Sequence, residues 1–409
     1  MKIGLAQKII TPKSSCQMAG FDRRILPSMG TAEDLLVSVV VLEDHGQRCL
    51  LCTYDLLGTD IEFAESMAER LAAEFSVETD HVFVSATHTH AGPGTHFYGR
   101  NAYDADYVAY LQEQTVLAAR TALNGLQEAS MAAAAVPVVG VGTPRNAGAV
   151  GNAFAMPVRL LRFVTETDSI VLCRFACHPT VLDEKNRLFS RDLVGAAAKA
   201  ADGTLVCFNG ACGDLSTRYT RTASDLCEVG RLGTMLAEGI CTAEYQSECD
   251  VKPMRAVQKT VLLERIDNLT EERRAELLSE LRERIAVCTD PKLLREYDSR
   301  LAVLERPPRP KEKPHRIRVG CLRLGNTALV FLPFEINHDD GQELERMLME
   351  ATGSSAVLCC YSGGYEGYLP SGRPLTADSS YEDFATRYPV DAKERIWECA
   401  KQCLLETNM

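Results

Sequence analysis

The run Ser85-Ala86-Thr87-His88-Thr89-His90-Ala91-Gly92-Pro93-Gly94, entered from His81-Val82-Phe83-Val84, constrains the fold more than any other part of this chain. The apolar lead-in reads as a buried strand, which Gly92, Pro93 and Gly94 cannot continue. Along a strand, residues at i and i+2 share a face, so His88 and His90 are expected to point the same way. Two imidazoles aimed together beyond a strand's carboxyl end make half of a metal site. Upstream, Phe63, Met67, Leu71 and Phe75 recur at every fourth residue, the apolar stripe of a helix. Before them, residues 36–42 and 48–54 read as strands joined by a turn at Asp44-His45-Gly46. This strand–helix–strand order predicts a parallel pair with a right-handed crossover. Its functional groups then gather beyond the carboxyl ends, where Asp55 and His88 both fall.

Two further strands end the same way. Residues 169–175 run into Ala176-Cys177-His178-Pro179-Thr180, and residues 204–208 run into Asn209-Gly210-Ala211-Cys212-Gly213-Asp214-Leu215-Ser216. From Asn268 the character changes. Asn268 with Glu271 suggests a helix start, and Leu277, Leu278, Leu281 and Ile285 form an apolar face among many charges. We read residues 268–314 as a charged helical insertion that reaches about Leu304 and closes at Arg306-Pro307-Pro308-Arg309-Pro310. Residues 317–324 and 327–332 then resume as a hairpin. The expected fold class is α/β: a mixed β-sheet core flanked by helices, in one domain spanning 1–409, with no internal repeat visible.

Composition narrows the function. A net charge of −12 over 409 residues argues against a phosphate-binding surface, so nucleic acid is not an expected partner. No segment is apolar for long enough to span a membrane, and the amino terminus reads as a first strand, not as a signal peptide. Most of the sixteen cysteines, such as Cys52, Cys173, Cys207 and Cys321, sit singly in apolar runs, as small hydrophobes do. With no export signal, free thiols and a cytoplasmic location are expected. Cys49 and Cys52 form a Cys-x-x-Cys inside a strand-like run, where core packing is preferred over a redox or zinc role. A homo-oligomer stays open.

Four clusters carry candidate chemistry: His88 with His90, His178, Glu335 in Leu332-Pro333-Phe334-Glu335, and the tyrosines of Tyr361-Ser362-Gly363-Gly364-Tyr365-Glu366-Gly367-Tyr368. A catalytic zinc site needs about three nitrogen or oxygen ligands and an open position for water. Two histidines and a carboxylate meet that need, and a tyrosine would be a weaker fourth ligand. Taken singly, each residue also suits a structural strand end, loop or turn.

In order along the chain, these segments resemble the neutral/alkaline (non-lysosomal) ceramidase family. Thr87-His88-Thr89-His90-Ala91-Gly92-Pro93 is similar to its Thr-His-Thr-His-Ser-Gly-Pro signature, and Phe175-Ala176-Cys177-His178-Pro179-Thr180 to its second histidine motif. Gly213-Asp214-Leu215-Ser216 resembles its Gly-Asp-Val-Ser, Pro333-Phe334-Glu335 its Pro-Gly-Glu, and Tyr365-Glu366-Gly367-Tyr368 with Tyr381-Glu382 its tyrosine-rich segment. The resemblance implies a zinc ion held by His88, His178, Glu335 and Tyr368, with Tyr365 as the alternative tyrosine. It places His90, Arg145 and Tyr381 on the substrate side. His90 would transfer a proton, and Arg145 or Tyr381 would stabilise an oxyanion. Asp214 is a candidate to orient a histidine, and Ser216 matches a serine once taken as a nucleophile. Two departures stand out: Asn146-Ala147-Gly148 follow Arg145 where the family has Ser-Pro, and Thr217-Arg218 follow Ser216 where it has Pro-Asn.

The expected activity is zinc-dependent hydrolysis of an amide (N-acyl) bond by metal-activated water. The family's longer members carry a further carboxyl-terminal domain, whereas here the last motif lies near residue 409. With the cytoplasmic reading, this favours a small N-acyl or lipid-like amide other than ceramide. Two alternatives compete: a His-x-His amidohydrolase on a β/α barrel, and a non-catalytic, metal-stabilised binding protein of the same family.

Overall fold

In the computed structural model, which describes residues 1–95, 105–145, 153–247, 252–307 and 312–408, one chain pattern occurs three times. Asn146-Ala147-Gly148 and Pro308-Arg309-Pro310 lie outside the described residues. The first unit comprises β1 (Lys2–Ile9), β2 (Leu36–Asp44), β3 (Gln47–Tyr54), α1 (Ile61–Phe75), β4 (Val82–Ala86) and α2 (Ala105–Asn124). The second repeats it with β5 (Ser130–Val139), β6 (Ala155–Val164), β7 (Ser169–Phe175), α3 (Leu193–Ala200), β8 (Thr204–Asn209) and α4 (Leu226–Cys241). The third runs β9 (Arg255–Leu263), α5 (Glu271–Val287), α6 (Pro291–Leu304), β10 (His315–Leu324), β11 (Thr327–Phe331), α7 (His338–Thr352) and β12 (Ser355–Cys359). It ends with α8 (Tyr381–Ala385) and α9 (Ala392–Thr407).

Each unit builds one sheet around the same strand order, β4-β3-β2-β1, β8-β7-β6-β5 and β12-β11-β10-β9, with a short fifth strand (127–128 and 246–247) added beside β1 and β5. In each, two antiparallel pairings precede one parallel pairing, β3 with β4, β7 with β8, β11 with β12. The parallel pairs are joined by α1, α3 and α7, the crossovers such pairs require. The mixed α/β class is therefore as expected, but the repeat is one the sequence does not display. What repeats is the order and pairing of the strands.

The strands are apolar on both faces because both are covered. Val37, Val39 and Val41 of β2 meet α2 and its neighbours, while Val40 and Leu42 face inward. The inward faces of all three sheets share one cluster, with Phe83 of β4 stacked on Phe331 of β11 (centroids 4.3 Å apart) and Phe208 of β8 edge-on to it (6.4 Å). Cys49 belongs to this inner cluster and Cys52 to the outer one. Opposite faces of one strand cannot share a metal, so this pair is core.

Local signals explain the boundaries. The β2–β3 turn uses His45 (φ 48°) and Gly46 (φ 81°), the left-handed pair a two-residue hairpin prefers. Asp60 caps α1, its carboxylate accepting the Phe63 N–H at 2.7 Å. The charged insertion is the α5–α6 pair, placed between the paired strands β9 and β10. Its start differs from the expected one: Thr270, not Asn268, caps α5 by accepting the Arg273 N–H, while Asn268 donates to the Tyr388 carbonyl. Leu277 and Leu281 pack with Leu304, Ala377 and Phe384, which ties the insertion to α8. Among the described residues no helix is long and apolar enough to cross a membrane. An eightfold β/α barrel is excluded by the three-sheet topology.

Candidate metal centre

The carboxyl ends of the parallel strands converge, and each unit delivers side chains there. Beyond β4 come His88 and His90, beyond β7 His178, beyond β11 Glu335, and beyond β12 Tyr361, Tyr365 and Tyr368. Asn209, the last residue of β8, fastens these ends together. Its side chain accepts the Cys177 N–H (3.3 Å) and donates to the carbonyls of Thr87 (3.2 Å) and Cys177 (3.1 Å). Its own carbonyl accepts the Cys360 N–H (2.8 Å). Third-unit backbone closes the ring, with Ala86 N–H donating to Tyr361 O and Gly363 N–H to Val84 O.

The histidines converge by a different route from the expected one. β4 stops at Ala86, and His88 takes a left-handed backbone (φ 68°), so the pair is aligned by a turn and not by strand pleating. Its ring stacks on Tyr361, itself left-handed (φ 57°), with centroids 4.0 Å apart. Strain of this kind at a non-glycine residue persists only where the surroundings impose it.

His88, His90 and His178 bring ring nitrogens within 4.8 Å of one another, and the Nε2 atoms of His88 and His90 are 3.3 Å apart. Glu335 Oε2 lies 3.0 Å from His178 Nε2 and 3.6 Å from His88 Nε2. All four residues line one buried spot. Second contacts fix the tautomers of two rings. His88 Nδ1 donates to the Leu57 carbonyl (2.7 Å), and His178 Nδ1 to the carbonyls of Cys212 (2.8 Å) and Leu215 (3.0 Å). With Nδ1 protonated, each Nε2 turns a lone pair inward.

Burial, reinforced by the Arg145 charge, lowers the His178 pKa to about 4, so its ring is neutral. Burial pushes the Glu335 carboxyl up, but the adjacent His88 and His178 outweigh it and hold the group well below its ordinary value. A neutral ring nitrogen and a carboxylate oxygen thus face each other at 3.0 Å, and both are buried without a hydrogen-bond partner. A cation between them resolves that conflict, and this nitrogen–oxygen set suits a divalent metal.

His90 is held differently. Burial and the other two histidines lower its pKa well below the usual value, yet its buried Nδ1 has no partner to fix a tautomer. Phe21 meets its ring edge-on (4.9 Å), Arg24 donates to its carbonyl (2.7 Å), and Gly20 (φ 99°) lies where a Cβ would come within 2.5 Å of the ring. Nothing in the sequence marks residues 20–24 as part of the site.

Among the other expected residues, Tyr365 donates its hydroxyl to Glu335 Oε1, while Tyr368 receives Arg145 Nη1 at 3.4 Å. Arg145 also pairs with Glu382 (2.7 Å), and Tyr381 lies edge-on to Tyr368 (5.9 Å). Burial pushes the Tyr381 hydroxyl to about 12 and the Tyr368 hydroxyl well above its usual value. The Asp214 carboxylate accepts the His338 N–H (2.7 Å) at the start of α7, and its carbonyl accepts the Arg145 N–H (2.8 Å). Asp214 therefore holds a loop; the carbonyls flanking it, not its carboxylate, orient His178. Ser216 accepts the Arg218 N–H at 3.4 Å and bridges backbone with His178. Asp55 stands at a strand end as expected but spends its carboxylate on Arg191 (2.7 Å), Leu36 N–H and Thr87.

Three main sheets whose converging strand ends bring together three histidines and a glutamate define an α/β protein whose His88–His90–His178 group could hold a metal ion. Residues 1–206 match the family model described as neutral/alkaline non-lysosomal ceramidase, N-terminal, and the chain belongs to that family. Its fold is similar to that of the neutral ceramidase from Pseudomonas aeruginosa (TM-score 0.79, 17% identity, 99% of this chain and 74% of that one). It is equally similar to a ceramidase complexed with C2 (TM-score 0.80, 16% identity, 100% of this chain and 75% of that one). Curated proteins give no match.

Proposed function

We propose that the protein is a zinc-dependent hydrolase of an N-acyl amide with an apolar acyl or alkyl part. The observation that carries this is the convergence of His88, His178 and Glu335 with two partnerless buried atoms facing each other at 3.0 Å. These three residues would hold the metal. Bound there, zinc supplies Lewis acidity and brings the pKa of water to about 7. Tyr365 orients the Glu335 carboxylate, and the carbonyls of Leu57, Cys212 and Leu215 orient the imidazoles, as supporting shells do at such centres.

His90 is the proton carrier in this reading. Its ring is neutral, adjoins His88 and has no fixed tautomer, so it can take a proton at Nε2 and return one to the leaving amine. Arg145, which donates to the Tyr368 hydroxyl, would with it serve as a donor to the developing oxyanion; a donor of this kind is worth roughly 3 kcal/mol. The loop around His90 exposes Ile25, Leu26 and Met29, which favours a lipid-like substrate. The complex of a similar fold with C2 agrees with that choice. We place the protein in the cytoplasm, in keeping with free cysteines throughout the described residues.

The test is turnover of a panel of N-acyl amides, a ceramide included, before and after chelation and zinc restoration. Zinc-reversible amide cleavage is expected. Full activity in a preparation with no measurable metal would sink the mechanism, and bound metal with no turnover would favour the binding-protein alternative.

A further inference from the structure

Sheets two and three part at one side and leave a cleft of about 390 Å³, within the range of about 300–1,000 Å³ typical of small-molecule sites. Its floor is apolar: Leu161, Leu172, Phe208, Leu329 and Val357, all buried members of the inner cluster. Into it project two arginines from directly paired positions, Arg159 of β6 and Arg174 of β7. Like charges placed opposite each other across strands destabilise a sheet. Arg174 is neutralised, donating to Glu345 (2.9 Å) and to the Pro157 carbonyl (3.2 Å). Arg159 has no such partner. Its Nε is buried without a hydrogen bond, and among the described residues it forms no ion pair. Burial lowers its pKa, Glu345 opposes this and Arg174 adds to it, so the group is a half-buried cation at the cleft. None of the residues of the histidine cluster lines the cleft.

We infer that this cleft is a second binding site, separate from the metal centre, for an amphipathic carboxylate. Arg159 supplies a planar fork of donors that matches a carboxylate, and the floor of the inner cluster takes an apolar chain. A bare anion would leave the cleft beside that floor unfilled, and an uncharged chain would offer Arg159 no counter-charge.

Calorimetric titration with decanoate tests this, against decanol and inorganic phosphate as chain-only and anion-only probes. Decanoate is expected to bind the native protein, with both controls weaker. Arg159→Met should weaken decanoate roughly tenfold or more, the worth of a charged hydrogen bond. Ala133→Trp, which adds bulk at a lining residue while keeping both arginines, should do the same, and it covers the case in which Arg159→Met does not fold. Binding should persist in His178→Ala, which disables the metal centre, so the outcome is independent of the proposed hydrolysis. The inference is overturned if decanoate does not bind, if either cleft variant binds it unchanged, or if binding disappears in His178→Ala. It is also overturned if phosphate or decanol binds as tightly as decanoate.

Discussion

His88 and His90 differ by what stands behind each ring. His88, like His178, has Nδ1 held by a carbonyl, whereas His90 has nothing there. This difference predicts a split. His178→Ala should lose both metal and turnover. His90→Ala should keep near-stoichiometric metal by emission spectrometry while kcat/KM falls roughly 10²–10⁴-fold. Loss of metal from His90→Ala would instead make it a ligand. A second expectation concerns acid. The His178 pKa is about 4 in the fold, below the ordinary 6.5, so as pH falls the unfolded chain takes up this proton first. Its contribution to stability is complete above about pH 6.5 and is lost between there and about pH 4. Glu335, held below its ordinary value, adds a loss of the same sign at still lower pH. The chelated protein should therefore show a falling melting temperature from pH 7 to pH 4; a flat profile would count against the neutral His178. His88, His90, His178 and Glu335 stand out in sequence only as an ordered set that resembles one family's motifs, since singly each also suits a strand end, loop or turn. Their supports do not stand out: Leu57, Cys212 and Leu215 act through backbone carbonyls, which every residue owns, and Gly20 acts by lacking a side chain.

Elements reach the site only because their ends are pinned, and Asn209 does most of that pinning between β4 and β7. Asn209→Ala removes three side-chain hydrogen bonds and strands buried backbone groups of Thr87 and Cys177. The expected cost is on the order of 2–3 kcal/mol, visible as a lower urea midpoint with an unchanged slope, together with weaker metal retention. Unchanged midpoint and retention would show the strand ends to be held by packing alone. Sequence patterns locate β2, β3, β4, β7, β8, α1 and the β10–β11 hairpin well, since continuous apolar runs and a four-residue stripe have few other uses. They end β4 wrongly, because Thr87-His88-Thr89-His90 looks like strand alternation, while Asp55, Asn209 and Tyr361 impose a turn that local propensity does not encode. The α5 cap was displaced for a similar reason: the long-range bond from Asn268 to Tyr388 took the first candidate away.

At the scale of the molecule, the centre joins three units that otherwise meet through the inner cluster. The first unit gives His88 and His90, the second His178, the third Glu335 and the tyrosines. Metal should therefore stabilise the whole assembly. Zinc at about a hundred times its dissociation constant is expected to add about 2.7 kcal/mol, read as a rise in melting temperature that His178→Ala abolishes. A rise that survives His178→Ala would place the stabilising metal elsewhere. The threefold topology itself was invisible in sequence, because a sheet can repeat its connections while sharing no residues, provided each face finds apolar partners. The third unit carries one more lesson, in its order of assembly. Leu263 and His315 are directly paired across β9 and β10, although residues 264–314 intervene, whereas β10 and β11 are joined by Gly325 and Asn326 alone. Closing the longer connection costs about 3 kcal/mol more in chain entropy, at about 0.6 kcal/mol per doubling. That toll falls away if α5 and α6 first fold against each other and bring their ends together. In a growing chain the helical pair would then act as a clasp, presenting β9 to a partner synthesised long after it.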